Sequence, residues 1–113
     1  MADKLELRIG KNSVTEEENM NLKLANGQEV ALKINFKLLL ELKERDPEAF
    51  EKGNRVIMDG TKDTGDIIDG IYAAYVCANE EHISYEEFAE NIPFNVKEVS
   101  GAFNALYMQD AKK

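Results

Sequence analysis

Residues 20–42 read MNLKLANGQEVALKINFKLLLEL, and two different periods run through them. Up to Ile34 an apolar residue returns at every second position: Met20, Leu22 and Leu24, then Val30, Leu32 and Ile34. A period of two belongs to strands with one face buried and the other in water. Between the runs lies Ala25-Asn26-Gly27-Gln28, and an Asn-Gly pair flanked by alternating runs marks a hairpin, since both residues tolerate positive φ. At Asn35 the period changes. Asn35 suits a helix N-cap, and Phe36, Leu38, Leu39, Leu40 and Leu42 follow, with Leu38, Leu39 and Leu42 on one face.

Upstream, Leu5, Leu7 and Ile9 alternate with polar neighbours and predict another strand. Residues 10–19, with Glu16, Glu17 and Glu18, read as a polar loop too long for an ordinary hairpin connection, so this strand need not pair with its sequence neighbour. Downstream, Asp46-Pro47 ends one helix and begins the next: Asp46 caps, Pro47 fills the first turn and Glu48 favours the positive end of the dipole. Ala49, Phe50, Val56, Ile57 and Met58 give the second helix its apolar side, with Gly53-Asn54 a weak point in its middle. Residues 59–66 (DGTKDTGD) predict a break. From Asp66 onward Ile67, Ile68, Ile71, Tyr72, Ala74, Tyr75 and Ala78 occupy most of a helix circumference, as a central core helix requires. Ser84-Tyr85-Glu86-Glu87 matches a capping box for a short helix that ends before Pro93. Asn95 then caps a final helix carrying Val96, Val99, Phe103, Leu106 and Tyr107. The expected fold is α+β in one domain over 1–113. A small N-terminal antiparallel sheet over 1–34, with its hairpin at Asn26-Gly27, is followed by a bundle of four to five helices over 35–111.

The 113 residues are 43% hydrophobic and 32% charged, and 14 Lys and Arg against 22 Asp and Glu leave a net charge of −8. Such a field repels phosphate backbones, argues against a basic nucleic-acid-binding face and suits a basic protein partner; it also serves solubility alone. No window approaches the roughly 18 apolar residues of a membrane span, and the N-terminus lacks a signal-peptide core, so a cytoplasmic protein without membrane contact is expected. Cys77 is the only cysteine. No internal disulfide can form, and its apolar helical setting predicts a buried, inert thiol.

Residues 59–70 do not make an EF-hand, because Thr64 stands where the loop needs glycine and Gly70 where it needs a bidentate glutamate. Gly60 to Gly65 is not a phosphate loop: Asp66 follows, and its charge would repel phosphate. His82, the only histidine, lies in a predicted turn between Glu81 and Ile83, where a structural or exposed residue is the expected reading. No His, Cys and Asp cluster has zinc spacing, and no catalytic, metal or cofactor site is expected. What remains is apolar surface. Val99, Phe103, Leu106, Tyr107 and Met108 form a broad C-terminal stripe that either closes the core or in part forms an interface, where Met, Tyr and Phe are enriched.

The order of these elements resembles the tail assembly chaperones of siphophages and prophages of Gram-positive bacteria. The resemblance covers most of residues 20–108. It is carried by the hairpin leading into KINFKLLLELKERDPEAF (33–50), and above all by IYAAYVCANEEHISYEEFAENI (71–92), in which an alanine- and tyrosine-bearing helix turns into a Tyr-Glu-Glu-Phe helix. It implies a non-enzymatic protein of the host cytoplasm, absent from the mature virion, that binds the helical tape measure protein and the major tail tube protein. It also implies a frameshifted longer form, and the adenine-rich codons expected for Lys112-Lys113 would suit ribosomal slippage. Self-association into a homo-oligomer is a further expectation. The binding surfaces expected are the C-terminal stripe (Val99, Phe103, Leu106, Tyr107, Met108) and the sheet face bearing Leu22, Leu24, Val30 and Leu32. The competing reading of the same acidity is a phage-encoded inhibitor that mimics DNA against a host enzyme, although Lys33, Lys37, Lys43 and Lys52 interrupt the carboxylates.

Overall fold

A computed structural model describes residues 20–108. The predicted strand at Leu5, Leu7 and Ile9, the loop 10–19 and the C-terminal lysines lie outside these residues. Among the described residues the architecture is α+β: a two-stranded antiparallel sheet followed by five helices.

Strands β1 (Met20–Lys23) and β2 (Glu29–Leu32) pair in the register Met20↔Leu32 and Leu22↔Val30. The turn follows from its sequence. Gly27 takes φ 94°, its N–H donates to Leu24 O at 2.9 Å, and Asn26 Oδ1 accepts from Gln28 N at 2.9 Å. This is a three-residue hairpin loop whose last residue needs the left-handed conformation glycine adopts freely.

Helix α1 (Phe36–Arg45) starts at Asn35, whose side chain accepts from Leu38 N at 2.8 Å. Asp46 closes α1 and caps α2 (Pro47–Asp59) by accepting from Ala49 N. The expected weak point at Gly53-Asn54 is absent: α2 runs unbroken, because Gly53 packs directly on the central helix. That central helix, α3, spans Thr64–Ala78 and begins two residues before the predicted Asp66. Asp63 is its cap and Asp66 sits at the third helical position, its Oδ2 accepting from Lys62 N at 2.7 Å, so the break shrinks to residues 60–63. Helices α4 (Tyr85–Asn91) and α5 (Val96–Tyr107) carry the expected Ser84 and Asn95 caps.

Nine consecutive residues of α3, Asp69 to Cys77, are buried. Small residues let its neighbours approach. A β-carbon on Gly53 would lie 2.9 Å from Ala73 Cβ, and one on Gly70 would lie 2.7 Å from Phe103 Cε1. The hairpin is fastened to the same helix: Lys33 N donates to Ala74 O, and Asn79 Nδ2 donates to Ala31 O at 3.0 Å. Around this axis Leu22, Leu24, Val30, Leu32, Leu42, Ile71, Val76, Phe88 and Phe103 form one apolar core.

Candidate functional site

The core consumes most of the apolar surface expected to bind partners. Leu22, Leu24, Val30 and Leu32 are buried, as are Val99, Phe103 and Leu106, and all belong to the chain's own interior. Tyr107 is half-buried, its hydroxyl donating to Gly70 O at 2.6 Å, and of the expected binding residues only Met108 is exposed. The reason is geometric. A two-stranded sheet has one apolar face, and α3 needs covering on every side, so the hairpin and α5 are both drawn onto it.

The apolar surface left over lies elsewhere. Ile34, Asn35, Phe36, Leu39, Ile57, Leu106 and Tyr107 line a groove of about 320 Å³ between α1, α2 and α5. Phe36 is 73% exposed and Ile57 40%. Leu40 follows Phe36 by one helical turn, on the same face of α1, and is 64% exposed. Met58 and Met108, each next in sequence to a lining residue, are also exposed. A concave, mainly apolar site with exposed aromatic and methionine margins has the composition of a surface that takes an apolar helix face. The signal was present in the sequence: on α1 the core takes Leu39 and Leu42, leaving Phe36 and Leu40 as a second stripe.

The polar clusters are structural. Asp69, buried on α3, accepts from Tyr85 OH at 2.5 Å and from Arg55 Nη2, and Arg55 also pairs with Asp66 at 3.1 Å. These contacts tie α2, α3 and α4 together. The hydrogen bond from Arg55 to Asp69 raises the guanidinium's pKa. The Lys62 N–H, ahead of other contacts, holds Asp66 below the usual carboxylate range. Burial, and then the bond to Asp69, pushes the Tyr85 hydroxyl up to about 12, away from any general-base role near neutrality. Cys77 is buried and burial raises its thiol to about 11, the opposite of an activated nucleophile.

His82 packs edge-on against Tyr72 and Tyr75. Its Nδ1 lies 3.1 Å from Ile83 O and its Nε2 lies 3.5 Å from Asp46 Oδ2, the side chain that caps α2. Two tyrosines of α3 hold the same turn: Tyr72 OH donates to Ile83 O and Tyr75 OH accepts from Ile83 N, both at 3.0 Å. Tyr75 stacks on the fully buried Phe88 at 4.9 Å. The Tyr-x-x-Tyr and Tyr-Glu-Glu-Phe elements are therefore two sides of one aromatic joint.

Among the described residues no group of three His, Cys, Asp or Glu side chains could hold a metal ion, and no helix is long and apolar enough to cross a membrane. No family model, curated protein or solved structure matches the chain.

Proposed function

We propose that this chain is a tail assembly chaperone of a phage or prophage, a non-catalytic protein that binds the tape measure protein while the tail tube polymerises around it. The observation that carries the reading is the exposed apolar groove between α1, α2 and α5. A tape measure presents long apolar helical stripes, and a small acidic protein that covers them shields surface that would otherwise aggregate. The resemblance of the hairpin-to-helix element and of residues 71–92 to such chaperones supports the same role. On this reading the protein works in the host cytoplasm, also meets tail tube subunits, and is left out of the virion.

Co-expression provides the test. The wild-type chain raises the soluble yield of the tape measure protein encoded beside it, and Leu40→Asp, which places a charge on an already exposed position, removes the gain while leaving the chain folded by circular dichroism. An unchanged tape measure yield with the wild-type chain would falsify the proposal.

One observation favours a second reading. From Asp63 to Asn95 the chain holds eight carboxylates and no Lys or Arg, among them Glu86, Glu87 and Glu90 on or beside one short helix. A face of that kind suits a DNA-mimicking inhibitor. Competition with duplex DNA for a host nuclease separates this reading from the first, which predicts none.

A further inference from the structure

Building on the chaperone reading, we infer that the groove selects a basic amphipathic helix: a partner segment with one apolar stripe and Lys or Arg along its flanks, rather than an acidic helix or a second copy of this chain. The shape of the groove supplies only half of that statement. Phe36 on α1 and Ile57 on α2 line the groove, and Leu40, exposed one turn beyond Phe36, extends the apolar surface that a helix of suitable stripe would cover.

Charge supplies the other half. Residues 20–108 carry nine Lys and Arg against sixteen Asp and Glu, and the whole chain carries −8. Two of those nine cations are exposed but tied to groups of the chain itself: Arg45 donates to the carbonyls of Val76 and Asn79, and Arg55 pairs with Asp66 and Asp69, two of the sixteen acids. Two more lie over aromatic rings, Lys43 over Phe50 and Lys52 over Tyr85. Close to the groove the balance is tighter. Lys33 and Lys37 adjoin Ile34 and Phe36 in sequence, while Glu41 and Glu44 follow on α1 and Asp59 follows Met58. Discrimination therefore comes mainly from the field of the whole protein. That field acts over about 10 Å at 0.1 M salt and steers association more than it strengthens the final contact. A second copy would bring a second charge of −8 to the same surface. Like fields of that size oppose a dimer closed through the groove.

The experiment uses the full chain and two synthetic helices of about 18 residues, five turns each. They share one stripe of Leu and Phe at i, i+3, i+4 and i+7; one has Lys on both flanks and the other Glu. Fluorescence anisotropy at low salt is expected to give at least about tenfold tighter binding of the Lys-flanked helix, and the gap closes as salt approaches about 1 M. Leu40→Asp weakens that binding at every salt concentration. Equal affinity for both helices overturns the charge inference and leaves the groove reading standing. Binding of neither overturns both. A groove-dependent homodimer in sedimentation, dissolved by Leu40→Asp, overturns the inference in favour of a second copy.

Discussion

At Gly70 a β-carbon would sit 2.7 Å from Phe103 Cε1 and 3.2 Å from Tyr107 Cε2. Neither ring can give way easily. They stack on each other at 4.7 Å, and Tyr107 OH is held by Gly70 O. Gly70→Ala therefore sets a helix-propensity gain of about 1 kcal/mol against an overpacking cost of about 1–3 kcal/mol, and the cost prevails. Gly101, exposed on the outer face of α5 with nothing within 4 Å, faces no such opposition. Gly101→Ala is expected to stabilise by about 0.5–1 kcal/mol. Urea unfolding of the two variants should move the midpoint in opposite directions; a shared direction would mean that α5 does not lie on α3 as described.

At the scale of elements, Arg45 does what no charge at the end of α3 itself does, since that helix has no basic residue in its last turn. Reaching across from α1, its Nη2 donates to Val76 O at 2.8 Å and its Nη1 to Asn79 O at 3.4 Å. Removing it leaves Val76 O with only its 3.3 Å bond from Asn79 N and loses a favourable interaction with the negative dipole end. Arg45→Ala is expected to cost about 1–2 kcal/mol. Amide exchange should quicken first in the last turn of α3 and the turn that follows; uniform quickening through the chain would place the effect elsewhere.

The same scale shows where sequence reading succeeds and stops. Caps and turns are local chemistry, so Asn35, Asp46, Ser84 and Asn95, the Asn26-Gly27 turn and a count of four to five helices were legible from a few residues each. The start of α3 was missed because two aspartates, Asp63 and Asp66, both suit an N-terminus, and only the Asp63 Oδ1 bond to Asp66 N separates cap from third position. Binding surface was harder still. Alternation in the hairpin and the stripe on α5 reveal which residues seek an apolar environment, but not whether the chain provides it. Here α3 requires cover all round, so those residues are spent inside, while Phe36 and Leu40 are displaced outward by Leu39 and Leu42. Arg55, Asp69 and Tyr85 meet from three helices, a convergence no local pattern announces.

For the whole molecule, several buried or half-buried acids share one direction of shift. Burial raises Cys77 from 9.0 to about 11, and Tyr72 and Tyr85 from 10.0 to about 12. It also raises Tyr107. The folded state thus holds these protons more tightly than the unfolded chain. Their contribution is fully present below the unfolded values and is lost as pH rises through the folded ones. Stability should be insensitive to these groups at pH 7–8 and should decline from about pH 9 upward. Urea midpoints across that range provide the check, and Cys77→Ser should remove the earliest part of the decline. A midpoint that rises above pH 9 would contradict the burial of these side chains.

On the proposed function, the groove of Ile34, Phe36, Leu39, Ile57, Leu106 and Tyr107 receives a helix of another protein. Titrating ¹⁵N-labelled chain with fragments of the tape measure protein tests it most directly. Saturable shift changes concentrated in α1, the end of α2 and the end of α5 are expected. Shifts confined to α4 and its glutamates, or none at saturating fragment, would contradict it.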